Sequence, residues 1–562
     1  MVNHPIRAEV SVIRLRLRDG GGVRCSGAGA QWRVEGGSQM RNARAAVVIG
    51  VVLGLSTLAV GSPASGQTSQ QAARSGPSSP HRGGTLTVLE NSAGIGNWPS
   101  LDPGNDPQAA AEDDAYFEAI FGNLFQMNGK GQIVPDLATG YSTSNGGQTV
   151  SIFVRHGVTF TDGTPLDASA VAYNIKRDLP LDAFLPLASV TTSGNDTVVL
   201  NLTRAFPVVT GFPEEPPNWI ESPTALAKMG TQAFGAKPVG AGPFEVVSNN
   251  PDSELVLKRN PNYWQKGHPY LNTLIFKVVG NDQGALDALE THEADVAQQV
   301  GTFQVIQEAK HQSGLRVVTS PGGPTTGIQL NVRVAPFNNM LAREAIYYAT
   351  NPEAINKALI GGTGTIAQSG NGPASPYFEK TVPGYRTYDL AKAKALVKQL
   401  GGLKFSIGVF GPNPYLYEAL QSQWQAAGMH VTLYPIGSLP ALVQDFRTLT
   451  WQALSGGCGG VDPAIGAGSL TWRCVSTGPF DGLTDTHLDT LINKAAALTS
   501  TSARAAEYKM IYQYISQHAY MPFLYAAPAY NIASTRTHGL GLSTPSSWGV
   551  EETPFWPDVW VD

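Results

Sequence analysis

The sequence predicts an α/β protein of two lobes, with a smaller β-rich subdomain inserted into the first. Three observations carry this. Charged residues are only 14% of the 562, against roughly 25% in ordinary globular chains, while 62 Gly and 39 Pro mark frequent turns rather than long charged helices. The stretch Phe121 to Arg177 reads as a hairpin layer with one helix. From about residue 282 strands and helices alternate: Phe405 to Val409, Tyr415 to Ala427 and Val431 to Tyr434 make a βαβ unit, whose strands should be parallel with a right-handed crossover. A chain of this length holds two to four domains with ample core.

The elements follow in order. Residues 1–39 are Arg- and Gly-rich without apolar periodicity, and read as an extension upstream of the true start. Met40 opens a secretory signal over 40–66: Arg41 and Arg44, an apolar run Ala45 to Val60, then small residues Ala64 to Gly66. That run of about 16 residues is close to the roughly 17 needed to cross a bilayer, so an uncleaved anchor is the alternative. Ser62 stands where a lipoprotein box needs its cysteine, so no lipid anchor is expected. Residues 67–82 have linker composition.

Gly83 to Leu89 opens the fold as a strand, with Leu86 and Val88 alternating with Thr85 and Thr87. A helix is expected from about Gln108 to Leu124. In Thr149 to Arg155, Val150, Ile152 and Val154 share one face. Asp162, Gly163 and Pro165 supply turn chemistry, and Asp167 can cap a helix carrying Val171 and Ile175. Further strands are Thr197 to Leu202 and Leu274 to Val279. Helices are expected over Gln283 to Thr291, Asp389 to Leu400 and Tyr508 to Ser516.

Several of these stretches resemble a known family. Leu137-Ala138 with Gly140-Tyr141, Val154 to Phe160, Asp162 to Leu166, Ala170-Val171 and Lys176-Arg177 are similar to the signature of family 5 extracellular solute-binding proteins, the oligopeptide, dipeptide and nickel receptors of bacterial ABC importers. Leu101-Asp102-Pro103, Pro238 to Val246 and Leu255 to Trp264 continue the match. Ala170 departs from it, because the family commonly has an acidic residue there. The resemblance implies a periplasmic-binding-protein-like bilobal fold (type II, cluster C-like). It divides the mature chain into lobe I (83–124, 196–280 and 525–562), an inserted subdomain (125–195) and lobe II (281–524), hinged at crossings near 280 and 525.

Ligands of parallel α/β sheets lie beyond the carboxyl ends of strands. The loop Leu454 to Pro463, with Gly456, Gly457, Gly459 and Gly460, lets backbone approach a ligand; its plain alternative is a turn pinned by a disulfide. Cys458 and Cys474 are the pair left after Cys25 goes with the leader, and an oxidising compartment favours their bridge, worth on the order of 3 kcal/mol for so short a loop. The resemblance implies that peptide-binding relatives carry an aspartate for the ligand's amino group at a position matching Gly459 or Gly460. That carboxylate is absent here, leaving Asp462 as a substitute or a different ligand class. Trp98, Glu112, Trp219, Tyr434, Trp472 and Tyr525 complete the candidate contacts as aromatic platforms and one acid, each with a core or surface role as alternative.

A net charge of −5 argues against nucleic acid. No nucleophile elbow, zincin motif or phosphate loop occurs, and His292 to Asp295 reads as a surface cluster, so no metal, cofactor or catalytic residue is expected. A secreted hydrolase is the remote alternative, since Glu214-Glu215 and Asp113-Asp114 are paired only in sequence. The expectation is a monomeric extracytoplasmic receptor that closes on a peptide or another small solute such as an oligosaccharide, and meets the membrane through ABC permease subunits or an uncleaved anchor. It requires a deep cavity between the lobes, bounded by the Gly456 to Asp462 turn.

Overall fold

The computed structural model describes residues 79–91, 100–105, 114–128, 132–178, 186–214, 216–251, 253–410, 414–437, 439–456, 462–464, 470, 483, 485–540, 542–545 and 552–562. The expected leader, most of the linker and the Cys458–Cys474 bridge fall outside these residues.

Strand β1 (Thr85–Asn91) buries Leu86 and Val88 on one face and Leu89 on the other. Both faces are covered because β1 lies within a seven-stranded sheet with a parallel partner on each side, the usual setting for such strands. Helix α1 (Asp114–Phe121) packs Phe117, Ile120 and Phe121 into the same core as Leu86 and Val88.

The chain then leaves for the inserted subdomain. Strands β2 (Ala138–Ser144), β3 (Thr149–Val154), β4 (Leu187–Ser193) and β5 (Thr197–Leu202) form an antiparallel sheet in the order β2-β3-β5-β4. Val150, Ile152 and Val154 share its core with Val171 and Ile175 of α2 (Ala168–Asp178). Asp167 caps α2, its Oδ1 accepting from the N–H groups of Ser169 at 2.9 Å and Ala170 at 3.0 Å. Asp167→Ala should therefore cost about 1 kcal/mol, read as a lower urea midpoint, with Asp167→Asn close to neutral. The expected subdomain limit at 195 is corrected: β5 pairs with β3 and β4, so the sheet extends to Leu202.

Two pieces of the signature meet in the joint between subdomain and first lobe. Arg177, at the end of α2, donates from Nη2 to Asp102 at 2.7 and 2.8 Å and from Nη1 to Glu221. Asp162 accepts from Thr164 N–H at 2.9 Å and from Ser222 Oγ at 2.8 Å. These residues serve to fasten two units together.

Strands β6 (Phe244–Asn250), β7 (Glu254–Arg259) and β8 (Thr273–Val279) follow in the first lobe. Next come α3 (Asp282–Glu290), β9 (Val296–Ala297), α4 (Phe303–Ala309) and β10 (Leu315–Thr319). The second lobe is a four-stranded sheet of β11 (Ile328–Leu330), β12 (Leu403–Phe410), β13 (Met429–Ile436) and β14 (Ala453–Ser455), ordered β11-β14-β12-β13. Its helices include α5 (Leu390–Gln399), α6 (Pro414–Ala426), α7 (Thr486–Ala496) and α8 (Thr501–Gln517). The expected βαβ unit is present: β12 and β13 run parallel, Phe405 opposite Val431. Leu420 and Trp424 of α6 are fully buried, and Gly428 at φ +92° lets the chain turn out of the helix.

Strand β15 (Tyr530–Ser534) completes the first sheet, whose order is β10-β15-β9-β1-β8-β7-β6. The expected lobe boundary at 280 is corrected accordingly, because β9 and β10 belong to the first sheet and Leu286 and Leu289 of α3 pack against Leu89. The crossing expected near 280 lies instead at 320–327, against the returning segment 523–529. Ser320 N–H donates to Ala529 O at 3.0 Å, Thr326 N–H to Tyr525 O at 3.0 Å, and Leu524 N–H to Thr326 O at 2.8 Å. The two segments approach too closely for a side chain at Gly322, where a Cβ would stand 2.3 Å from Ala527 O, and Gly372 packs equally close, a Cβ there standing 1.8 Å from Gly323 O.

Candidate functional site

Asp462 is the described end of the glycine loop that follows β14, and its carboxylate is fully engaged. It receives Arg504 Nη1 at 2.6 Å and Nη2, Ala464 N–H at 3.0 Å and Thr210 Oγ1 at 2.8 Å. Arg504, on α8, is only 2% exposed and Asp462 only 3%. Burial by itself pulls the guanidinium's pKa down, and the Asp462 carboxylate more than reverses this. The idea that Asp462 stands in for the amino-group aspartate is therefore corrected: an ammonium would compete with an arginine already in place. What the geometry makes of it is a clasp, since Thr210 precedes the first lobe's return while Asp462 and Arg504 belong to the second lobe. Ala464 and Ala496 enter the subdomain's apolar cluster beside it.

The aromatic candidates separate. Trp219 is 1% exposed and packs on Phe117 with ring centroids 5.0 Å apart, so it is core. Tyr525 is buried in the second lobe's core, where it pairs with Ile366; burial pushes its hydroxyl up to about 12. Tyr434 is half-buried beside Phe410 and Ile436 and donates to Asp445 at 3.3 Å; burial and that carboxylate push it up to about 12. For these three rings the core alternative holds, because their apolar area is spent on packing. Trp98, Glu112, Gly457, Cys458, Gly459, Gly460, Trp472 and Cys474 lie outside the described residues, and so does most of the turn that should bound the cavity. A separate cavity of about 40 Å³ near Tyr347, Tyr385 and Phe523 has room for a few waters and no peptide. Among the described residues no group of three or more His, Cys, Asp or Glu is placed for a metal. In the His292 to Asp295 cluster, Asp295 accepts from Thr87 N–H at 2.9 Å.

Sequence reasoning missed a row of polar residues at the carboxyl ends of β1 and β9 and the amino end of the antiparallel β15. Val88 stands opposite Val296, and Leu89 opposite Ala297, which faces Ile532. Gln298 N–H donates to Leu89 O at 3.1 Å and carries this register one step on. Val88, Val296 and Ala533 lie in one core cluster, and Leu89, Ala297 and Ile532 in the other. Alternation then puts Glu90, Gln298 and Asn531 side by side on the first face. They are 6%, 4% and 7% exposed. Asn531 Oδ1 accepts from Gln299 N–H at 3.0 Å, whereas Gln298 Oε1 and the nearby Ser320 Oγ have no hydrogen-bond partner among the described residues. The signal available in the sequence was Glu90 itself, an acid two residues beyond Val88 and so on its face.

A subdomain-bearing first lobe, joined by a paired crossing to a second α/β lobe, defines the bilobal substrate-binding class. Residues 132–464 match the model of bacterial extracellular solute-binding proteins, family 5. This is more than half of the chain, which belongs to that family. The glutathione-binding protein GsiB of Salmonella paratyphi A is 32% identical over 314 residues, 54% of this chain and 60% of the relative; the match thus spans less than two thirds of the curated relatives' length. Among solved structures, the oligopeptide-binding protein AppA from Bacillus subtilis, in complex with a nonapeptide, covers 86% of this chain and 100% of its own at TM-score 0.69 and 20% identity. NikA from Staphylococcus aureus, in complex with Ni(L-His)2, covers 85% and 100% at TM-score 0.67 and 16% identity. These likenesses bear out the fold class and the family resemblance. The relatives' names describe binding proteins rather than enzymes.

Proposed function

We propose that the chain is the extracytoplasmic receptor of an ABC importer, capturing a peptide between its two lobes and delivering it to the permease. The observation that carries this is the build: two sheets joined through the paired segments at 320–327 and 523–529, with parallel strands of the first ending at a buried polar row. Family membership and the 32% likeness to a glutathione-binding protein support a peptide-sized ligand. The neighbours' ligands, a nonapeptide and Ni(L-His)2, belong to those proteins, and the fold they share does not choose between them.

Ligand binds first to one lobe. Closure adds contacts from the other, and the closed form gains population only by the interaction that closure adds. The Thr210–Asp462 hydrogen bond is one contact between the two halves. No covalent step is involved. The family's description as extracellular agrees with delivery by a leader starting at Met40, and among the described residues no helix is long and apolar enough to cross a membrane. Mass spectrometry of protein purified without unfolding from its native medium should release an intact short peptide. Recovery of cleaved products alone would overturn the receptor reading in favour of a hydrolase.

A further inference from the structure

We infer that the joint between the inserted subdomain and the first lobe is a proton-held latch: protons kept on Asp178 and Glu221 hold it shut, and it loosens as the surroundings lose acidity. The inference concerns how the subdomain is attached and stands whatever ligand the lobes take.

Charge counting starts the argument. One guanidinium, Arg177, meets three carboxyl groups: Asp102 at 2.7 Å, Asp178 at 3.9 Å and Glu221 in direct contact. Asp102 and Glu221 are 0% exposed and Asp178 is 1%. Were all three ionised, a net of two negative charges would be buried, and a buried carboxylate without a counter-charge takes up a proton instead. Hydrogen bonding separates the three. Asp102 turns both oxygens to Arg177 Nη2. Asp178 Oδ1 and Oδ2 and Glu221 Oε1 have no hydrogen-bond partner among the described residues. Asp178 is also the last residue of α2, where the helix dipole opposes a carboxylate.

The surroundings bring no compensating charge. Strands β4 and β5, against which α2 lies, contain no charged residue, and neither does the turn Pro216–Asn218. Lys176 of α2 and Lys228 of the helix Pro223–Met229 are exposed. Asp162, which enters the same joint through Ser222 Oγ at 2.8 Å, is a further acid. Gly104 of the first lobe lies so near that a Cβ there would overlap Arg177 Nη1 and Asp178 Oδ1. Asn174 donates to Glu221 O at 2.9 Å and accepts from its N–H at 3.1 Å. Burial accordingly raises Asp178 to about 7, with Arg177 opposing and Asp102 adding. Burial also lifts Glu221 well above the ordinary carboxylate range, helped by Asp102 and Asp178 and by a hydrogen bond with Asp102, against Arg177. Two carboxyl groups share a hydrogen bond only when one keeps its proton. With both groups raised, the closed joint binds more protons than the open one. The latch's contribution is therefore complete below about pH 4 and is lost for Asp178 as pH rises through about 7, Glu221 following.

The test is hydrogen exchange of the α2 amides in the full chain, read by mass spectrometry and corrected for the intrinsic exchange rate. In wild type the opening equilibrium should rise about tenfold or more per pH unit between about pH 5 and pH 7, a factor of about ten for each proton released. Asp178→Asn and Glu221→Gln should each lower that slope by about tenfold per unit, whereas a merely structural role would leave the slope alone. Asp136 is common to all three proteins and cancels. A second reading needs no substitution in the joint. In Asp136→Asn, infrared spectra should show a protonated-carboxyl band near neutral pH that fades on alkalinisation in step with the loosening of α2. Exchange with no pH dependence beyond the intrinsic rate, variants that run parallel to wild type, or spectra without the band would each overturn the latch.

Discussion

Replacing Arg504 with leucine should destabilise the protein by about 3–5 kcal/mol, the range for removing one partner of a buried ion pair. The side chain is 2% exposed and holds both oxygens of Asp462, so the variant strands a carboxylate that keeps only Thr210 and Ala464 N–H as donors. Pairing the change with Asp462→Asn should recover part of the loss, because no charge then remains buried. A double-mutant cycle in urea reads the coupling directly. The loss should show first in contacts between second lobe and subdomain, where Ala464 and Ala496 pack. An Arg504→Leu protein within 1 kcal/mol of wild type (about 1 being the mean for an ordinary substitution) would contradict the clasp.

Asp136→Asn should remove a pH dependence of stability worth about 4 kcal/mol. Asp136 is 4% exposed, and burial raises its pKa to about 7, against the lowering effects of Asn123 N–H and Arg155. With the folded pKa above the unfolded one, the native state binds more protons between about pH 4 and pH 7. This group's contribution is therefore present at low pH and lost as pH rises through about 7. Wild type should fall in stability relative to Asp136→Asn across that window and run parallel to it above. The asparagine keeps an oxygen to accept from Asn123 N–H, which Asp136 Oδ2 now does at 3.2 Å. Asp178, also raised to about 7, chiefly by burial, is common to both proteins and cancels. Denaturation midpoints at pH 4.5 and 8 check this; parallel curves throughout would show that Asp136 ionises freely.

The local reading of β3, α2 and the β12-α6-β13 unit held because each rests on neighbouring residues. Apolar alternation marks Val150, Ile152 and Val154, helical spacing marks Val171 and Ile175, and caps such as Asp167 declare themselves within three positions. The lobe limits failed for a matching reason. Strand β9 has two residues, too few for any period, and its membership in the first sheet is settled by partners more than 200 residues apart in sequence. Trp219 and Tyr525 show the same gap: a large ring near a strand end has one signature in sequence, whether it lines a cleft or fills a core.

By itself, the sequence determined the class: α/β lobes, an inserted β layer, and enough motif to place the family. Those are properties of composition and short-range order, which a linear chain displays directly. Only the tertiary structure decided where one lobe yields to the next, that Asp462 is spent on Arg504 and Thr210, and that Glu90 stands beside Gln298. Each depends on which distant groups meet, and burial then determines whether a polar atom is satisfied or left seeking a partner.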